Sequence, residues 1–170
     1  MNEKKQISIF IVEDNEIFSL ALKANIDTSF ANMPIKIHSF ETGEVCMEKF
    51  KEEKPQVLIL DYYLNSKDPD AADGIKILDW IKKENPETYV ILLTSNDNID
   101  IALKSFKHGA SDYVIKTETQ FMQINYSLSN FFNIIKAKSD ARKYKYIIRL
   151  FLCFIALQLA VVLAILIFAA

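Results

Sequence analysis

Five short apolar runs recur along the chain, and amphipathic stretches separate them. The runs lie at residues 7–12, 35–40, 57–60, 89–93 and 113–115. The third and fourth runs are apolar without alternation, which is typical of strands that are covered on both faces of a parallel sheet. The repeated alternation of strand and helix predicts an α/β fold with a doubly wound five-stranded parallel sheet.

The stretches between the runs have the periodicity of amphipathic helices. Their predicted starting points are Glu16, Thr42, Gly74 and Asn98. A fifth helix is predicted to open at the sequence "TETQ", residues 117–120. There Thr117 can cap the helix and Gln120 can reach back to complete a capping box.

The charged residues are divided unevenly along the chain. Residues 1–135 contain 14 Lys and Arg against 21 Asp and Glu, whereas residues 136–149 contain six basic residues and Asp140 as the single acid. An acidic domain without a basic stripe gives no electrostatic basis for binding nucleic acid. We therefore expect no nucleic-acid partner, and the basic segment needs another explanation.

An uncharged segment follows the basic one, from Leu150 to Ala170. About 21 helical residues span roughly the 30 Å hydrocarbon core of a bilayer. The composition therefore predicts three parts, which are a folded domain at 1–135, a basic juxtamembrane neck at 136–149 and a C-terminal transmembrane helix at 150–170. By the positive-inside rule, the neck places the domain in the cytoplasm, so we expect a single-pass tail anchor in a membrane such as the bacterial inner membrane.

Polar side chains stand where the predicted strands end. Glu13 and Asp14 follow the first strand, Asp61 the third, Thr94 the fourth and Lys116 the fifth. A single acid in such a place is more often a turn residue or a helix cap. The carboxyl ends of parallel strands, however, meet at one edge of the sheet. Three carboxylates at that edge repel one another and favour the binding of a cation. Because the ligands are oxygen atoms with no nearby His or Cys, we expect this cation to be Mg²⁺. Such a site suits phosphoryl chemistry, with Asp61 as the nucleophile.

The motifs around these residues resemble those of a known family. They read "FIVEDNE", "VLILDYYL", "DGIKIL", "ILLTSNDN" and "GASDYVIKT", within residues 5 to about 135. In this order they are similar to the receiver (CheY-like) domain of two-component response regulators. The resemblance implies a flavodoxin-like sheet with the strand order 2-1-3-4-5.

The resemblance also implies roles for individual residues and a set of partners. Asp61 would accept a phosphoryl group from a histidine kinase or a phosphotransfer protein. The ligands of Mg²⁺ would be Glu13, Asp14, Asp61 and the backbone carbonyl of Tyr63. The residues that bind the phosphoryl group and switch would be Thr94, Lys116 and Tyr113.

The expected function is a phosphorylation-controlled interaction module in a phosphorelay, which signals through protein-protein contacts at the membrane. No enzymatic activity is expected beyond Mg²⁺-dependent self-phosphorylation from a phosphodonor and autodephosphorylation. A homodimer could form through the fourth helix, fifth strand and fifth helix, or through the transmembrane helix. The alternative is a membrane-anchored adaptor with a receiver fold that works without phosphorylation.

Two rival classes lack a feature that they need. An aspartyl-phosphate phosphatase or transferase would have a second acid two residues after its nucleophile, where Tyr63 stands. A flavin binder would need hydrogen-bond donors around a phosphate in the first loop, where "EDNE" supplies negative charge. The chain also departs from the family in three places. Thr117 stands where many members have Pro, the loop after Asp61 is long, and a bulky Tyr63 stands at a position that lines the path of the hydrolytic water.

Overall fold

The computed structural model describes residues 6–64 and 72–168, except for the side chains of residues 157, 159–166 and 168. The strands in this part are β1 Ile7–Val12, β2 Ile35–Phe40, β3 Val57–Asp61, β4 Tyr89–Thr94 and β5 Asp112–Ile115. The helices that alternate with them are α1 Glu16–Ser29, α2 Gly43–Glu53, α3 Gly74–Glu84, α4 Ile99–Lys107 and α5 Gln120–Phe168. Each predicted apolar run is a strand whose bounds lie within one residue of the prediction. Most of the long loop after Asp61 lies outside the described residues.

The strands form one parallel sheet in the order β2-β1-β3-β4-β5, which confirms the predicted order. The register places Ile9 of β1 beside Val57 of β3, and Val57 beside Tyr89 of β4. Because all five strands run in the same direction, their carboxyl ends lie at one edge of the sheet. The residues that follow β1, β3, β4 and β5 therefore share that edge.

Side chains are buried on both faces of the sheet. Those of β1, β3 and β4 alternate between the faces, since successive residues of a strand point in opposite directions. One face packs against α2 and α3, and its buried residues include Phe10, Leu58, Leu92, Phe50 and Ile81. The alternate strand residues Ile9, Ile59 and Ile91 are fully buried too, as are Leu22, Ile26, Ile124 and Leu128 of α1 and α5. All five residues of β3 are buried, as predicted for an apolar run without alternation that is covered on both faces of the sheet.

Four helices begin at a side chain that accepts a hydrogen bond from the first turn. The capping residues of α1 to α4 are Asn15, Thr42, Asp73 and Asn98. Asparagine, aspartate and threonine are favoured here because their short side chains satisfy backbone N–H groups that have no partner within the helix. These caps fix the points at which the chain leaves the edge of the sheet and turns into each helix.

The predicted capping box at the start of α5 does not form. The Thr117 hydroxyl lies 3.1 Å from that of Thr119, and the Thr117 carbonyl accepts from the backbone N–H of Gln120 at 3.1 Å. It is Thr119 that receives hydrogen bonds from the helix, through its carbonyl from the Gln123 backbone at 3.0 Å and through its hydroxyl from the Gln123 side chain at 3.0 Å. The chain makes a turn between Thr117 and Gln120, so the helix begins later than a cap at Thr117 would require.

The chain divides into two compact units, Met1–Leu128 and Ser129–Ala170, and α5 crosses the boundary between them. The first unit contains the sheet and α1 to α4. The second unit is the continuation of α5. The predicted domain limits at residues 135 and 149 stay predictions.

The predicted transmembrane helix at 150–170 is not supported. Within the described part of the chain, no helix is both long enough and apolar enough to cross a membrane. Much of the predicted segment lies outside the residues whose side chains are described.

Two glycines at the first position of a helix offer a matched test of packing. A Cβ atom on Gly74 would lie 2.7 Å from the backbone carbonyl oxygen of Asp61 and 2.7 Å from the Cα of Tyr62. A Cβ on Gly43 would instead meet the side chain of Ile77, with its Cδ1 as the nearest atom. We expect Gly74→Ala to lower the free energy of unfolding by about 1–3 kcal/mol, because backbone cannot move aside as a side chain can. Gly43→Ala should cost less, and urea unfolding of both variants measures the difference. An equal or smaller loss in Gly74→Ala would contradict this account.

Candidate functional site

Three acids from two neighbouring strands meet at the carboxyl edge of the sheet. Glu13 and Asp14 follow β1, and Asp61 is the last residue of β3, which pairs with β1. Glu13, Asp14 and Asp61 are 2%, 9% and 3% exposed, and each offers an oxygen within 4.8 Å of the others. The structure thus brings together the three predicted carboxylates in a nearly buried cluster.

Lys116 reaches this cluster from the end of β5. Its Nζ donates to Glu13 Oε2 at 2.6 Å and to Asp61 Oδ2 at 2.7 Å. Its backbone N–H donates to the carbonyl of Thr94 at 2.7 Å, which holds the residue beside the end of β4. One ammonium group therefore bridges carboxylates from β1 and β3, and such charge-assisted hydrogen bonds are short and strong.

Burial and mutual repulsion shift the pKa values of these groups. Burial raises the pKa of Glu13, and the nearby charge of Asp61 raises it further. Burial also raises the pKa of Asp61, although Lys116 acts in the opposite direction. Burial alone would lower the pKa of Lys116, but Asp61 and Glu13 outweigh it and the net shift is upward. The single cation only partly compensates the carboxylates that surround it.

The cluster fits a divalent cation. Its donor atoms are carboxylate oxygens that lie within 4.8 Å of one another, and hard cations such as Mg²⁺ prefer oxygen ligands. Burial is the main cause of the raised pKa values of Glu13 and Asp61, and the charge of a neighbouring carboxylate adds to each, Asp61 for Glu13 and Asp14 for Asp61. A divalent cation would relieve this repulsion. Glu13, Asp14 and Asp61 are thus placed to hold Mg²⁺.

The backbone around Asp61 is held on both sides. Tyr62 donates its N–H to the Leu93 carbonyl at 2.8 Å, and Gly74 donates to the Tyr62 carbonyl at 3.0 Å. The Tyr63 N–H donates to Asp61 Oδ1 at 3.3 Å, so Tyr63 lies beside the carboxylate. The role of the Tyr63 carbonyl as a metal ligand stays a prediction.

Thr94 and Tyr113 are both hydrogen-bonded to the backbone of Asn96. The fully buried Thr94 accepts a hydrogen bond at Oγ1 from the Asn96 N–H at 3.2 Å. The Tyr113 hydroxyl donates to the Asn96 carbonyl at 3.1 Å. The backbone of Asn96 thus connects the predicted phosphoryl-binding hydroxyl to the predicted switch aromatic.

One contact of Lys116 was not predicted. Its Nζ lies 4.8 Å from the centroid of the Phe18 ring, on the first turn of α1. An apolar residue on an amphipathic helix indicates core packing, and the sequence carries no signal that links this ring to a lysine at the end of β5. Only the fold brings the two side chains together.

The shifted pKa of Asp61 leads to a test of stability. The pKa of Asp61 is higher in the folded protein than its ordinary value of 3.8, so folding disfavours the charged form. This penalty is fully present above the folded pKa and disappears as the pH falls below the ordinary value. Asp61→Asn removes the charge, so we expect it to raise the urea midpoint at about pH 7 without Mg²⁺, with a smaller gain at about pH 4.

Asp27→Asn on the exposed surface of α1 is the matched control for removal of one carboxylate. It should leave the midpoint nearly unchanged at both values of pH. A lower midpoint for Asp61→Asn at neutral pH would mean that the bond to Lys116 outweighs the cost of burial.

Several known proteins are similar to this chain in sequence. The family model described as the response regulator receiver domain matches residues 9–124. The protein is 32% identical over 82 residues to the luminescence regulatory protein LuxO of Vibrio campbellii, an alignment that covers 48% of this chain and 17% of LuxO. It is 29% identical over 108 residues to the regulatory protein AtoC of Escherichia coli, which covers 64% of this chain and 22% of AtoC. The chain therefore spans less than a quarter of these relatives.

Solved structures show the same fold. The signal receiver domain of a LuxO repressor protein from Vibrio parahaemolyticus superposes with a TM-score of 0.66 at 26% identity, over 79% of this chain and 95% of that one. The response regulator DrrB of Thermotoga maritima gives 0.63 at 29% identity, over 75% of this chain and 53% of that one. The family model covers most of the described sheet and helices, including all three acids and Lys116. The chain belongs to the receiver domains of two-component response regulators.

Proposed function

We propose that this chain is a phosphoacceptor receiver, in which Asp61 takes a phosphoryl group in a Mg²⁺-dependent reaction. The observation that carries the proposal is the position of the Asp61 carboxylate, 2.7 Å from the Lys116 ammonium and beside Glu13 and Asp14. This arrangement supplies a nucleophile, a fixed positive charge and oxygen ligands for a cation. Beyond self-phosphorylation and autodephosphorylation, the chain would have no catalytic activity of its own.

The chemistry requires the Asp61 carboxylate to be ionised and correctly oriented. A carboxylate oxygen attacks the phosphorus of the donor, so a new O–P bond forms while the bond from phosphorus to the leaving nitrogen or oxygen breaks. The leaving group keeps the electron pair of that bond. Lys116 maintains Asp61 in its ionised form and orients it, and the Tyr63 N–H at 3.3 Å orients the other carboxylate oxygen.

Bound Mg²⁺ would offset the negative charge shared by the phosphoryl oxygens and the acids. Glu13, Asp14 and Asp61 are the residues that would hold the ion. Lys116 would then pair with the phosphorylated side chain. Thr94, at the end of β4, would donate its hydroxyl proton to a phosphoryl oxygen.

The switch would use the link between Thr94 and Tyr113. A Thr94 hydroxyl that turned towards a phosphoryl group would alter the hydrogen bond that it accepts from the Asn96 N–H. The Tyr113 hydroxyl donates to the carbonyl of the same Asn96, so the change would reach Tyr113. Phosphorylation would thereby shift an equilibrium between two arrangements of this region rather than create a new fold.

The partner that supplies the phosphoryl group would be a histidine kinase or a phosphotransfer protein. For the response, α4, β5 and α5 offer a surface with exposed apolar side chains, which include Ile99, Leu103, Met122 and Tyr126. Exposed large apolar side chains are a common feature of surfaces that bind another protein. A second copy of the chain or another protein could bind there, and dimerisation through this surface stays a prediction.

The alternative function is an adaptor that binds its partner without phosphorylation. The raised pKa of Asp61 favours the acceptor over the adaptor, because a buried carboxylate that costs stability is typical of a functional site. A partner that binds wild type and Asp61→Asn equally well would favour the adaptor.

The first test is intact-protein mass spectrometry of the full chain after incubation with acetyl phosphate and Mg²⁺. We expect one added phosphoryl group, which should be absent in Asp61→Asn and strongly reduced without the metal. Asp14→Asn should weaken the response to Mg²⁺, because it removes one of the clustered carboxylates.

Asp27→Asn is again the matched control and should be phosphorylated like the wild type. If the wild type gains no adduct, the experiment is repeated with a histidine kinase as the donor. A chain that stays unmodified with both donors would overturn the proposed acceptor function.

The membrane location stays a prediction from the uncharged sequence at 150–170, with the domain in the cytoplasm. Expression of the full chain in bacterial cells, followed by extraction of the membranes with alkaline carbonate, tests it. We expect the full chain to stay in the membrane pellet and a chain that ends at Arg149 to leave it, since only the full chain carries the uncharged residues 150–170. Release of the full chain by carbonate would refute the anchor.

A further inference from the structure

An aromatic ring lies beside the ammonium group of Lys116. The Nζ is 4.8 Å from the centroid of the Phe18 ring, within the roughly 6 Å at which a cation is attracted to a ring face. The Lys116 side chain is 18% exposed and Phe18 is half-buried. Because both side chains are partly shielded from solvent, the attraction is stronger than between fully exposed side chains.

Two further contacts hold Phe18 in place. Its backbone N–H donates at 3.1 Å to the side chain of Asn15, which caps α1. Its ring centroid lies 5.6 Å from that of Phe121, at the start of α5, with an angle of 31° between the planes. The cap fixes the backbone of Phe18, and the neighbouring ring restricts its side chain. Lys116 therefore faces a ring whose position is set by α1 and α5.

We infer that Phe18 is a positioning residue, which holds the Lys116 ammonium beside Asp61 during phosphoryl transfer. The inference rests on the proposed function of Asp61 as the acceptor. Phosphorylation converts the Asp61 carboxylate into an acyl phosphate, so the charge-assisted bond from Lys116 to Asp61 Oδ2 weakens while the bond to Glu13 remains. A third contact that persists keeps the ammonium from moving wholly to Glu13.

A neutral ring suits this task better than another acid. It attracts the ammonium through its electron-rich face but carries no net charge. The site already contains three carboxylates, and a further one would repel the incoming phosphoryl group. An aliphatic side chain would fill the same space without attracting the cation.

The first experiment separates the electronic effect of the ring from its size. Phe18 is replaced in the full chain by 4-fluoro-, 3,5-difluoro- and pentafluorophenylalanine, which weaken the attraction stepwise with little change in shape, and by Leu. We expect the rate of phosphorylation by acetyl phosphate with saturating Mg²⁺ to fall with each step, to about threefold to tenfold below wild type in Phe18→Leu. The same fluorinated residues at Phe106, half exposed on α4, are the control and should leave the rate unchanged.

The second experiment detects the contact without phosphorylation. A ring face shifts the NMR signals of protons above it to higher field, so the ε-methylene protons of Lys116 should lie upfield of those of other lysines. Phe18→Leu should remove this shift, whereas Phe106→Leu should leave it in place. The urea midpoint of each variant shows whether it is folded.

The outcomes distinguish this inference from the proposed function. A stepwise fall in rate, together with an upfield shift that Phe18→Leu removes, supports the role of Phe18. Equal rates across the fluorinated series in a chain that is phosphorylated on Asp61 would overturn it and leave the acceptor function intact. An absent ring shift in the wild type would overturn the contact itself. A wild type that no donor phosphorylates would refute the acceptor function, and the positioning role with it, even where the ring shift is present.

Discussion

The whole site depends on one ammonium group that two buried carboxylates share. Lys116 donates to Glu13 at 2.6 Å and to Asp61 at 2.7 Å, so a single cation from the end of β5 joins residues at the ends of β1 and β3. Without it, two acids in one small buried space would repel each other and favour protonation. The strand order makes the arrangement possible, because a parallel sheet delivers all three strand ends to the same edge. Removal of the lysine alone would leave buried negative charge uncompensated. This costs more stability than replacement of the lysine and both carboxylates by apolar side chains.

The same arrangement sets function against stability. The pKa values of Glu13 and Asp61 are raised, so keeping these carboxylates ionised lowers the stability of the fold. Apolar burial around the central strand offsets this loss of stability. Every residue of β3 is buried, and apolar layers lie on both sides of the strand. Gly74 shows how tightly this strand is enclosed, because there is no room for even one more carbon atom beside the Asp61 backbone. A rigid, well-packed scaffold can therefore tolerate a locally unfavourable cluster of charge.

The sequence predicts the scaffold and the acids well but misses contacts that only the fold creates. The strands follow from short apolar runs, and Asp61 and Lys116 stand directly at strand ends, so their convergence needs only the parallel sheet. Phe18 is different, because the sequence predicts only core packing for an apolar residue on α1. Its spatial neighbour Lys116 lies far away in the sequence. The start of α5 also escapes prediction, since Thr117 and Thr119 are equally good capping residues and the turn between β5 and α5 decides between them. The predicted transmembrane helix rested on composition alone, and it is not supported.

One connection between the site and Tyr113 runs through the backbone of Asn96. Asn96 donates its N–H to Thr94 and accepts the Tyr113 hydroxyl at its carbonyl, so the two side chains are bonded to the same residue. A Thr94 hydroxyl drawn to a phosphoryl group would weaken the first of these bonds and free Asn96 to move, and Tyr113 would lose a fixed partner. A typical hydrogen bond contributes only about 1 kcal/mol net, so the two arrangements would differ little in free energy. A phosphoryl charge on Asp61 would be able to reverse a free-energy difference of that size. The weak hydrogen-bonded link through Asn96 therefore suits the proposed switch.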